Sequence, residues 1–166
     1  LMRRTLVGRD GLGHVRARGP PAACGSLRAM PNSFELRQRI AAPADAVWDV
    51  VGDSSRLPDW FTPVEAVEEH GDRRILTMAG GARMTERLLG HDDVARRYEY
   101  SVVEGARTPM ISHRAGFEVV EVDERTSEVR WWTDARPADP EVDMERRLGG
   151  VMASGLDALR SLVESA

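Results

Sequence analysis

The chain has 166 residues, 42% hydrophobic and 30% charged, enough for one globular domain with a real core and with no apolar run near the roughly 18 residues of a membrane span. All 23 basic side chains are arginine, and the absence of lysine excludes Schiff-base chemistry, pyridoxal-phosphate attachment and the lysine-bearing phosphate loop. Residues 1–29 carry a net charge of +5 and residues 30–166 a net −9, so the domain is acidic and no nucleic-acid partner is expected, since such binding neutralises phosphates.

Residues 1–29 are rich in Gly, Arg, Pro and Ala and follow neither the helical nor the strand period. They read as a disordered tail or a misannotated leader ahead of a domain at 30–166 that starts at Met30, although an Arg-rich, acid-poor leader is also a transit-peptide composition. The single cysteine, Cys24, lies in this tail, which rules out an intrachain disulfide and makes a cysteine nucleophile in the domain unexpected.

Strict alternation from Ser33 to Ile40 predicts a half-buried strand. Pro43 then opens a helix through Trp48 to Val51, Gly52-Asp53 closes it, and a second short helix is expected from a Ser54 cap to Trp60. Strands follow at about 64–70, 73–79, 82–89, 95–103, 111–123 and 128–136, separated by turns that include Ala79-Gly80-Gly81 and His91-Asp92-Asp93. The last element is a long helix from an Asp139 cap to Ser165, with Pro140 at its first position. Leu148, Met152, Gly155, Leu159 and Leu162 recur on one face, joined by Val151, Leu156 and Val163. Gly149, Gly150 and Gly155 are places where backbone approaches the sheet or leaves room for a ligand.

This order resembles the START-like, helix-grip superfamily (SRPBCC), and most closely its polyketide cyclase/dehydrase and lipid-transport family. The likeness is carried by Pro43 to Trp48, Asp53, Leu57 and Trp60-Phe61-Thr62-Pro63, then by Arg74-Ile75-Leu76, Glu86-Arg87-Leu88, Asp93, Arg97-Tyr98, Trp131, Pro137 and Gly155-Leu156 with Leu159. The resemblance implies the α+β class: a curved, seven-stranded antiparallel sheet wrapped on the C-terminal helix, two short helices after the first strand, and a mostly apolar cavity that binds lipids, sterols, hormones or polyketides. Two departures from the family pattern stand out. Ala106-Arg107-Thr108-Pro109-Met110 puts a cation at the supposed gate, and Ala135 replaces an aromatic before Pro137.

If Ala79-Gly80-Gly81 is the hairpin loop, Leu76 faces Met84 and Arg74 faces Glu86 on the apolar side of the sheet. An arginine and a glutamate in such a place are either a register-fixing ion pair or an anchor for a ligand carboxylate, phenolate or carbonyl. Alternation turns Tyr98, Tyr100, His113, Phe117, Trp131 and Thr133 to the same side, with Trp132 on the other. Core packing accounts for such residues, while His113 is also the natural acid-base group of a cavity. Arg74, Glu86 and His113 are therefore the candidate catalytic residues. Tyr98, Tyr100, Trp131, Thr133, Phe117, Trp60, Met144, Leu148 and Met152 are the candidate ligand contacts. Scattered histidines and no paired cysteines give no metal site, and no glycine-rich dinucleotide motif is present.

The expected function is cofactor-free binding or carriage of a hydrophobic or amphipathic small molecule by a cytoplasmic protein without stable membrane insertion. Its rivals are a polyketide cyclase, aromatase or dehydratase, and a module that presents a lipid to a partner through Trp132 and the Arg107 loop. The sequence leaves the oligomeric state open.

Overall fold

A computed structural model describes residues 33–166; the tail expected at 1–29, and Met30, lie outside the described residues. Strand β1 (Ser33–Ile40) turns Phe34, Leu36, Gln38 and Ile40 inward and leaves Glu35, Arg37 and Arg39 exposed, as its alternation requires. Pro43 precedes α1 (Ala44–Val51), which buries Val47, Trp48, Val50 and Val51 along one stripe. The turn that follows is capped by Asp53 rather than by Ser54, because the Asp53 carboxylate accepts the Ser55 amide at 2.9 Å ahead of the 3-10 turn Ser54–Arg56. Helix α2 (Leu57–Trp60) tolerates Pro58 in its first turn, where an amide hydrogen is not needed, and buries Leu57 and Trp60.

Six further strands follow: β2 (Val64–His70), β3 (Arg73–Met78), β4 (Arg83–Asp92), β5 (Arg97–Glu104), β6 (Met110–Asp123) and β7 (Thr126–Pro137). They form one sheet in the order β1-β7-β6-β5-β4-β3-β2, every neighbour antiparallel. The loop at Gly80 and Gly81 uses positive φ at both glycines, which only residues without a Cβ adopt freely, and sets Leu76 opposite Met84 and Arg74 opposite Glu86 as the sequence predicts. One turn is corrected: β4 continues through His91 and Asp92, so His91-Asp92-Asp93 is not wholly a break.

Helix α3 (Met144–Glu164) starts later than the sequence suggests. Asp143 is its cap, accepting the Arg146 amide at 3.0 Å, while Asp139 makes a local turn by accepting the Glu141 amide at 3.0 Å. The helix packs on β1, α2, β7 and α1, and its far end is tied to the sheet by the Ala41 amide, which donates to Glu164 Oε1 at 2.8 Å. Its buried residues are Met144, Met152, Gly155, Leu156 and Leu159. Val151 points outward instead of inward, one step past the buried stripe. Gly149 and Gly150 have space around them and mark no close approach, whereas a Cβ on Gly155 would lie 2.7 Å from the Phe61 ring.

The outer face of the sheet is a lattice of ion pairs. Arg97 and Arg114 share Glu99, and Arg130 bridges Glu118 at 3.2 Å and Glu128 at 3.0 Å. Trp132 lies on this face, over Gly116 and beneath the Arg114 guanidinium, so it is covered by a neighbouring side chain.

Candidate functional site

The inner face gathers the polar residues that the hairpin register predicts. Arg74 and Glu86 are only 6% and 4% exposed, and Arg74 Nε donates to Glu86 Oε2 at 2.7 Å. The guanidinium is layered on two rings of β5, with its carbon 5.4 Å from the centre of Tyr98 and 5.1 Å from that of Tyr100. Glu86 is its one ion-pair partner among the described residues, and the guanidinium lies close enough to the Tyr98 hydroxyl to offset part of the rise that burial causes in that group's pKa. Burial disfavours its charge, but Tyr98, Glu86 and Tyr100 outweigh that and raise its pKa, so Arg74 is a permanent cation. The Glu86 carboxyl is pushed up by burial, with Arg74 pulling only part of the way back.

The tyrosines remain protonated, because burial is the largest influence on both and raises each pKa. Tyr100 oxygen accepts Trp131 Nε1 at 3.1 Å and keeps its own hydrogen without an acceptor among the described residues. Among the described residues the Tyr98 hydroxyl and Trp60 Nε1 are buried without a partner at hydrogen-bond geometry, and the nearby Arg74 guanidinium partly opposes the rise in the Tyr98 pKa. Glu86 is the one buried carboxylate among the described residues, and only Arg74 Nε donates to it, so the remaining Arg74 nitrogens and the Tyr100 hydrogen have no acceptor there.

Trp60, Phe117 and Trp131, expected as ligand contacts, come together in an aromatic cluster completed by Phe61. Phe117 stacks on Trp131 at 4.5 Å between centres, and Phe61 meets Trp131 edge-on at 5.2 Å. The cluster lies under Gly155, which has no side chain to displace the Phe61 ring. Met152 belongs to the same core, and Met144 and Thr133 are also buried. Leu148 is half-buried, as are Met78, Met84, Val102 and His113 on the inner face of the sheet, and Ile111 at its margin is 61% exposed. The apolar inner surface is therefore least covered toward the β5–β6 loop.

His113 owes its position to a parting of strands. Pairing of β5 with β6 extends from Arg97 opposite Glu118 to Tyr100 opposite Ala115. Beyond it, the Val102 amide donates to His113 Nδ1 at 3.0 Å, so a side chain takes the place of a ladder carbonyl. With Nδ1 accepting, the neutral ring carries its hydrogen on Nε2, 3.5 Å from Thr133 Oγ1. Burial lowers the His113 pKa to about 4, opposed by the Asp134 charge. At neutral pH the ring is uncharged and its free lone pair is already used, which counts against the acid-base role.

A second group was not legible in sequence. The register of β4 against β5 slips between Leu88 and Gly90, and this bulge brings His91 opposite Tyr98. Their rings stack at 6.0 Å, while Asp93 Oδ1 accepts Trp48 Nε1 at 3.0 Å and lies 2.9 Å from His91 Nε2. The hydrogen bond from His91, then that from Trp48, holds the Asp93 carboxyl below its usual range. A cleft of about 190 Å³ opens beside this group, with Ser54, Asp72, Leu88 and His91 in its walls and Arg74 and Tyr98 reached from it. Another, of about 340 Å³, lies between the start of β1 and the segment before α3, lined by Phe34, Val142 and three carboxylates.

The geometry agrees with the comparisons. The model of the family described as "Polyketide cyclase / dehydrase and lipid transport" matches residues 31–164. A protein of Thermobifida fusca solved in solution is 31% identical, with a TM-score of 0.70 over 80% of this chain and 93% of that one. An uncharacterised protein from Bacillus thuringiensis is 26% identical, with a TM-score of 0.73 over 79% of this chain and 98% of that one. The di-domain ARO/CYC BexL from the BE-7585A biosynthetic pathway is 25% identical, with a TM-score of 0.70 over 80% of this chain but 46% of its own length, so this chain corresponds to about half of it. No curated protein matches the chain in sequence. No helix among the described residues is long and apolar enough to cross a membrane. The helix-grip architecture, the order of its elements and the match across 31–164 place the chain in the polyketide cyclase/dehydrase and lipid transport family.

Proposed function

We propose that the protein binds and carries one hydrophobic or amphipathic small molecule on the inner face of the sheet, with an oxygen of that molecule received by Arg74 and Tyr100. The observation that carries this reading is the unused donor capacity of two neighbouring buried groups, Arg74 and Tyr100. A ligand carbonyl, phenolate or carboxylate supplies the acceptor that the Arg74 guanidinium and the Tyr100 hydroxyl lack. The half-buried Met78, Met84, Val102 and Leu148 offer the apolar contact beside it, and methionine side chains adapt to varied ligand shapes. Of the residues expected from sequence, Tyr98, Thr133 and Met144 would frame this surface, with Trp131 orienting Tyr100 from below.

Carriage is favoured over catalysis because the inner face is rich in donors and poor in free bases. His113 Nδ1 is occupied, and both tyrosines stay protonated. A second reading, a cyclase or dehydratase, is supported by Glu86, whose raised pKa beside a cation suits proton abstraction while Arg74 holds the developing enolate oxygen.

Native mass spectrometry of the purified full chain tests the first reading. A bound species of defined mass, displaced by organic solvent, is expected; bare protein from several expression hosts would contradict it. Given an identified ligand, Glu86→Gln separates the two readings, since a carrier keeps the ligand unchanged with or without the carboxylate and an enzyme loses turnover.

A further inference from the structure

Strands β5 and β6 part company at the ligand's anchor. Their last ladder pair is Tyr100 opposite Ala115, and from there to the rim no residue of one is paired with a residue of the other among the described residues. The end of β5 stays on β4 instead, with Val102 opposite Glu86 and Glu104 opposite Thr85. The backbone at Gly105 lies so close to the same strand that a Cβ there would collide with the Arg83 carbonyl. The end of β6 stays on β7, with Met110 opposite Pro137 and His113 opposite Ala135, and the Ala138 amide donates to the Pro109 carbonyl at 2.9 Å.

His113 spans the seam between these two ends. Its Nδ1 accepts the Val102 amide at 3.0 Å, its ring centre lies 6.0 Å from that of Tyr100, and its Nε2 is 3.5 Å from Thr133 Oγ1. Breaking the bond to Val102 leaves the β4–β5 and β6–β7 ladders whole, so parting the strands here costs one hydrogen bond and local packing rather than the unfolding of either. The seam has apolar edges: Val102 is half-buried, and Ile111, on the same face as His113, is 61% exposed.

We propose that the seam between Val102–Glu104 and Met110–His113 opens to pass the ligand through the wall of the sheet, and that His113 is the strut that holds it shut. A ligand oxygen held by Arg74 and Tyr100 sits where the ladder ends, so a molecule leaving along the seam crosses no paired backbone. Use of the seam by a ligand rests on the carriage reading; the opening itself does not.

The test is a disulfide across the outer side of the seam. Continuing the β5–β6 register past Tyr100 sets Val103 against Ser112 and Ser101 against Arg114, on the face away from the ligand surface. Val103→Cys with Ser112→Cys, and separately Ser101→Cys with Arg114→Cys, are made in the full chain with Cys24→Ser, and each is compared oxidised and reduced. In wild type and reduced protein the Val102 amide is expected to exchange with solvent by local opening, about tenfold or more faster than the slow amides of the Arg97–Tyr100 ladder and with little dependence on dilute urea. Oxidation is expected to slow both Val102 exchange and the uptake of anilinonaphthalene sulfonate, an anionic amphiphile, by about tenfold or more, and dithiothreitol to restore both. Val102 exchange as slow as the ladder's, or equal in oxidised and reduced protein, would overturn the seam. Probe uptake unchanged by oxidation, or absent from wild type, would overturn its use as the ligand's route. Val102 exchange needs no ligand, so failure of the carriage reading appears separately, as bare protein in the mass spectrum.

Discussion

The two faces of the sheet hold the same pair of residue types in opposite circumstances. On the outer face Arg114 and Arg97, both more than half exposed, cover Glu99 as part of a lattice, and the hydrogen bond from Arg114 is the main reason that Glu99 ionises more easily than usual. On the inner face Arg74 and Glu86 are paired at 2.7 Å with almost no exposure, and burial makes Glu86 harder to ionise. Outside, the pair is one of several exchangeable surface contacts worth a few tenths of a kcal/mol to about 1 kcal/mol. Inside, desolvation offsets most of the attraction, so the pair is weak grounds for stability and a better candidate for recognition.

Breaking the inner pair one residue at a time gives the largest effect. Arg74→Met leaves Glu86 as an uncompensated buried acid and is expected to cost about 3–5 kcal/mol in chemical denaturation, whereas Arg74→Met with Glu86→Leu recovers most of that loss. A double variant as unstable as the single one would mean that the pair holds the fold together. Gly155→Val comes next, since its side chain would collide with Phe61; thermal or urea unfolding should show a loss of about 1–3 kcal/mol.

The pH profile sharpens the contrast further. His113 has a folded pKa near 4 against an ordinary 6.5. Between these values the unfolded chain binds the proton and the folded chain does not, so stability is full above pH 6.5 and is lost as pH falls toward 4. Allowing for partial exposure, the loss is about 1–2 kcal/mol, and in urea titrations His113→Gln should flatten that part of the curve. Glu99 contributes in the same sense, its lowered pKa giving stability that fades as pH falls through the folded value. Glu86 contributes in the opposite sense, because a raised folded pKa favours the fold at low pH and disfavours it as the carboxyl ionises. The smallest effect belongs to the outer face: Arg114→Ala should change stability by less than about 1 kcal/mol, and by less again in high salt.

Much of this was legible in the chain. Period-two patterning placed the strands, and the paired glycines at Gly80 and Gly81 fixed a loop length that put Arg74 across from Glu86. The start of α3 was not legible, because Asp139 and Asp143 are both capping residues and only the fold decides that the first makes a turn and the second a helix. His91 was read as part of a turn because alternation cannot show a bulge, and the extra residue at Leu89 shifts every later side chain of β4 relative to β5. The restraint on His113 was hidden for a related reason, since it arises where β5 and β6 separate and an amide 11 positions away needs an acceptor. Sequence patterns name the face on which a residue lies; they do not name the backbone group waiting there.

The most direct measurement is native mass spectrometry of the wild type beside the Arg74→Met, Glu86→Leu double variant. A bound small molecule on the wild type, absent from a double variant that is folded and comparably stable, is the result expected. The same molecule retained at the same occupancy by both proteins would contradict the assignment of the inner pair to ligand recognition.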